Sequence, residues 1–137
     1  MPNGQVSVWV PILEDRLAWR EKRLAIAVDF LITLNAWREL AVDSWREARR
    51  DGQAADATVS RLHDAVTRMS DQLAEIKLVG TERMRTAAAD AVDALLETST
   101  AARESLDGFE TASLRLSAVI HGLRETFRAE LGIPDGR

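Results

Sequence analysis

His63 and His121 are the two side chains of this chain best suited to proton transfer or metal ligation near neutral pH. A helical di-metal centre needs a glutamate three residues before each histidine, on the same helix face. Those places hold Ser60 and Ala118. There is no cysteine, so thiolate catalysis, disulfides and thiolate metal ligation are excluded. No nucleophile elbow and no glycine-rich phosphate loop occurs. His63, beside Asp64, falls at the edge of an apolar stripe. His121 is four residues from Glu125, the spacing of a helical surface pair. These patterns predict no catalytic residue, no metal ligand and no cofactor, hence a non-enzymatic protein.

Arg16, Arg20, Lys22 and Arg23 form the densest basic group, interleaved with Glu14, Asp15 and Glu21. Mixed signs at this spacing read as a solvated face of i,i+4 pairs. The chain carries a net charge of −4 over 137 residues. A mildly acidic protein gains no general attraction to phosphate backbones, so no nucleic-acid partner is expected. No helix-turn-helix fits segments as long as those below.

The elements that position these residues are helices. All three prolines, Pro2, Pro11 and Pro134, lie near the ends, and no stretch alternates at period two. Pro11 suits a first helical turn. From there to Arg50 the chain reads as one helix of roughly 40 residues, ended by Asp51-Gly52. Val59, Leu62, Val66, Met69, Leu73 and Ile76 form a coiled-coil-like stripe on the second segment, about 54–79. Gly80 is expected as a C-terminal glycine and Thr81 as the next N-cap. The third segment, from Glu82, is alanine-rich, which lets a neighbouring helix approach closely. Phe109, Leu116, Ile120, Leu123 and Phe127 mark a fourth, ended by Gly132 and Pro134. A seven-residue row at 95, 102, 109, 116 and 123 crosses Gly108 without a slip, so three helices are the alternative. The prediction is an all-α antiparallel bundle of four helices, broken at 98–100 or 107–108. Residues 1–10 form an apolar arm, 11–131 the bundle domain and 132–137 a tail.

Three of the four tryptophans sit in Trp-Arg-Glu triplets, at Trp19, Trp37 and Trp45. Trp19 and Trp37 are about five helical turns apart and share a face with Ile26 and Phe30. Leu17, Leu24, Val28, Leu31 and Val42 form a second stripe, with Asn35 its polar member. Glu21, Lys22, Asp29, Thr33, Asp43 and Glu47 fall on the polar strip between. An apolar arc this wide either sits between several helices or supplies an oligomer contact. The candidate interface is therefore Val8, Trp9, Ile12, Leu13, Trp19, Ile26, Phe30, Trp37 and Trp45.

Leu17-Ala-Trp-Arg-Glu-Lys-Arg-Leu, then Asp29-Phe30-Leu31, Leu78-Val79-Gly80-Thr81-Glu82 and Phe127-Arg128-Ala129-Glu130-Leu131-Gly132 resemble a diffuse group of uncharacterised actinobacterial helical proteins. Arginine in strong excess over lysine suits a GC-rich, actinobacterial origin. Many members carry a membrane helix just before the arginine-rich entry. Here that place holds only the short apolar run 6–13, interrupted by Pro11. No run reaches the ~18–20 apolar residues that span a bilayer, and no secretory leader is visible. The expected compartment is the cytoplasm. The expected partner is protein, in the first place a second copy of the chain, with no defined small-molecule ligand. Peripheral membrane contact through residues 6–13 is the alternative.

Overall fold

The computed structural model describes residues 2–104 and 106–132, with side chains for 16–101 and 107–132. Four helices account for it: α1 (Pro2–Asp51), α2 (Asp56–Val79), α3 (Glu82–Glu104) and α4 (Leu106–Leu131). The fold is the expected all-α antiparallel bundle. α1 pairs with α2 and α3 with α4, and the two hairpins close on each other through α2–α3 and α1–α4. At about 1.5 Å per residue α1 is twice as long as its neighbours. It passes through Pro11 and begins at Pro2, which itself takes the first-turn place that suits a proline.

Turn chemistry explains the connections. Gly52 ends α1 in the left-handed region (φ 84°), its N–H donating to Ala48 O. Thr81 caps α3: its Oγ1 accepts from Met84 N at 3.2 Å. Gly80 differs from expectation. Its φ of −76° is open to any residue. Glycine is needed there because a Cβ would meet Ile76 O at 2.6 Å.

α3 is helical through Glu104 and α4 from Leu106, so the chain is helical at both predicted break places. Thr98 and Thr100 do not end α3 because their hydroxyls turn back onto the helix. Thr98 Oγ1 lies 2.8 Å from Ala94 O, and Thr100 Oγ1 donates to Leu96 O at 3.1 Å. Thr98 Oγ1 is also 3.3 Å from Ala112 O, so this buried hydroxyl ties α3 to α4. Gly108 sits inside α4, where one glycine costs only about 1 kcal/mol.

The core runs the length of the bundle. Phe30, Leu34 and Trp37 of α1 meet Met69 and Ile76 of α2, Met84, Ala88 and Leu95 of α3, and Leu116, Leu123 and Phe127 of α4. Phe30 and Phe127 pack edge to face at 6.5 Å. The stripe read on α2 divides: Met69 and Ile76 are buried, Leu62, Val66 and Leu73 are half-buried, and Val59 is exposed. α2 leans on both α1 and α3, so its inward line also takes in Thr58 and Gln72.

Glu47 leaves the polar strip to clasp the first hairpin. Its carboxylate accepts from Ala55 N at 2.7 Å and from Thr58 Oγ1 at 2.8 Å. It thereby does for α2 what an N-cap side chain does, since Ala55 offers none. The Ala55 N–H, and after it the Thr58 hydroxyl, hold the Glu47 carboxyl below its usual range. A depressed folded pKa stabilises fully above the unfolded value, about 4.3, and the benefit is lost as pH falls through the folded value. Glu47→Gln is therefore expected to melt several degrees below wild type at pH 7. Thermal melts across pH should show that gap closing below about pH 4. A gap independent of pH contradicts the clasp.

Candidate functional site

Among the described residues no group of three or more histidine, aspartate or glutamate side chains converges to hold a metal. His63 and His121 are both exposed, on α2 and α4. What the surface does offer is built on α1.

The candidate interface residues separate into three sets. Ile26, Phe30 and Trp37 are buried in the bundle's own core, Trp37 at 2% exposure. Trp45 is half-buried, its ring stacked on Phe109 at 5.3 Å with the Arg49 guanidinium 5.1 Å from the ring centroid. Trp19 is 48% exposed, although it shares its helix face with Trp37. The physical reason is position along the rod. Arg20 reaches the last carbonyl of α4, so Trp19 stands where the other helices end. The Lys22 ammonium lies 5.8 Å from its ring centroid. The side chains of Val8, Trp9, Ile12 and Leu13 lie outside the described residues.

The second stripe is the larger surprise. Leu17 (58% exposed), Leu24, Val28 and Ile32 (61%) stand in solvent on the side of α1 turned away from the core. Leu31, Asn35 and Val42 on the same row are half-buried. Asn35 donates through Nδ2 to Leu31 O one turn earlier. Exposed Ala18 and Ala25 flank the row. Leu31 packs against the core, but Leu17, Leu24, Val28 and Ile32 leave an apolar strip about four turns long that no described residue covers.

Of the concavities that adjoin this helix, two bear on function. An apolar groove of about 480 Å³ between α1 and α2 is floored by Trp37 and walled by Ala41, Trp45, Val59 and Leu62, with His63 at its rim. At the Leu131 end of the bundle lies a mouth of about 630 Å³. Arg16 and Arg20 are exposed, as expected from their spacing, but three arginines of the mouth also reach the ends of other helices. Arg20 Nε donates to Leu131 O at 3.2 Å, Arg23 Nε to Val79 O, and Arg85 Nη1 to Gly80 O at 3.3 Å. Each satisfies a carbonyl at the negative end of α2 or α4. The sequence alone hides this clasp, because Arg20 and Leu131 are 111 positions apart.

No helix among the described residues is long and apolar enough to cross a membrane. No protein family, curated protein or solved structure matches the chain.

Proposed function

We propose that the protein is a non-enzymatic helical interaction module that associates with a second copy of itself through the outward row of α1. The exposed row Leu17, Leu24, Val28 and Ile32 carries this reading. With Leu31, Asn35 and Val42 it repeats at the 3-4 spacing by which one helix packs on another. A second copy is the natural occupant because equal rows match about a two-fold axis. Ala18 and Ala25 leave room for the partner backbone, and a lone asparagine in such a seam fixes register at a cost in stability.

Light scattering at micromolar concentration tests the idea. The wild type is expected above the single-chain mass of 15.2 kDa. The double variant Leu24→Glu/Val28→Glu is expected at that mass with its helical circular dichroism intact, since both side chains face solvent in the single chain. A wild type that stays strictly monomeric ends the proposal.

A second reading, peripheral membrane contact through residues 6–13, draws support from α1 running unbroken from Pro2, so that those residues belong to the helix bearing the row. Liposome flotation of the full chain against one lacking residues 1–10 separates the two readings. Equal and negligible flotation removes the membrane.

A further inference from the structure

We infer that the arginine-lined mouth at the Leu131 end of the bundle binds a phosphate group. Arg16, Arg20 and Arg23 of α1 and Arg85 of α3 line it, with Glu130 as the one carboxylate among its described lining residues and Trp19 beside them. Glu130 is already engaged, accepting from Thr81 Oγ1 at 2.6 Å. The ion pairs among the described residues are Arg50–Asp51, Arg115–Glu97 and Arg128–Glu125, and none reaches these four guanidiniums. Among the described residues, four cations therefore share one concavity with a single carboxylate, Glu130, that is not ion-paired to any of them, in a chain whose net charge is −4.

The capping bonds do not exhaust the guanidiniums. A guanidinium has five N–H donors. Arg20 and Arg23 spend Nε on carbonyls, and Arg85 spends one Nη1 hydrogen. The remaining donors form a set whose carbons are already tethered, so a ligand pays little to order them. Arg16 makes no hydrogen bond and no ion pair among the described residues, and it stands one turn from Arg20, where like charges repel. Helix capping accounts for three of the arginines, and the fourth, Arg16, caps no described carbonyl. A tetrahedral oxyanion, with several acceptors and more than one negative charge, fits forked donors arriving from two helices. The carbonyls of Val79, Gly80 and Leu131, which would repel an anion, already accept hydrogen bonds from arginine.

A free phosphate ester and a phospholipid headgroup present the same group. Isothermal titration of the full chain with inorganic phosphate and with pyrophosphate, at constant ionic strength in chloride, tests the site itself. Both are expected to bind, pyrophosphate more tightly because it reaches more donors at once. Arg16→Gln is expected to weaken binding roughly tenfold, the loss of one charge-assisted contact. Because Arg16 makes no hydrogen bond or ion pair with a described residue, the melting temperature of Arg16→Gln without ligand should match or exceed that of wild type. Flotation on phosphatidic-acid vesicles, lost in Arg16→Gln, would assign the headgroup as the source. Binding of the soluble anions without flotation would assign a free ester. No heat with either anion together with no flotation, or Arg16→Gln binding as wild type does, overturns the inference. The Leu24→Glu/Val28→Glu variant that tests self-association changes residues outside the mouth, so the two ideas fail separately.

Discussion

Trp37→Ala is expected to destabilise the fold by about 3–5 kcal/mol, the largest effect of any single truncation proposed for this chain. The indole is 2% exposed and shares the core with Phe30, Leu34 and Met69. Removing it loses the transfer free energy of a large apolar group and leaves a void that helices held at both ends cannot close. The groove above it is open, so water can enter part of that void. This places the cost inside the usual range for large-to-small changes and not beyond it. Urea melts of Trp37→Ala, Trp19→Ala and Glu39→Ala give the comparison. Trp19 shares the face of Trp37 but stands past the ends of the other helices, so its loss should cost about 1 kcal/mol or less. Glu39 is exposed, and its replacement should stay within about 0.5 kcal/mol. Equal costs for the two tryptophans would mean that the rod is enclosed along its full length, against the arrangement described.

The contrast between those tryptophans shows where the sequence was legible. Period and punctuation are local, so the all-α class, the ends at Gly52 and Val79, the Thr81 cap and the inward line of α4 could be read directly. The residues' place along the bundle axis is not local. Nothing within one helix says where its neighbours stop, and so Trp19 and Trp37 read alike. The same limit hid the arginine clasp, whose acceptors are the last carbonyls of other helices. It also hid Glu47, whose partners lie 8 and 11 residues on, across a turn. That 98–100 and 107–108 lie inside helices was missed for a different reason. Threonines and a glycine weaken a helix in isolation, but Thr98 and Thr100 satisfy their hydroxyls on the preceding turn, and Gly108 is carried by the packing of Phe109 and Leu116. Of the outward site on α1, the apolar row was visible as periodicity. That it faces away from the core follows only from where α2 and α4 dock.

The alanines of α3 set up the second large effect, in the opposite chemical sense. Ala88 and Ala91 are fully buried in the core cluster with Met84 and Leu123. α3 and α4 make the most extensive helix pairing of the bundle. Small side chains on one helix let the backbone of the next come near, and once it has done so the space is gone. Ala88→Leu is therefore expected to cost about 3 kcal/mol, the upper part of the range for overpacking, because three added carbons must displace both helices of the hairpin. Ala88→Gly removes only a methyl and adds backbone freedom, for a cost of about 1 kcal/mol. Ala57→Leu, on the exposed side of α2, should stay within about 0.5 kcal/mol. The order of these three in a denaturant series is the decisive reading. If Ala88→Leu were neutral or stabilising, the α3–α4 seam would be loosely filled, and the short helices would not hold the second hairpin firmly enough to expose the α1 row in one fixed orientation.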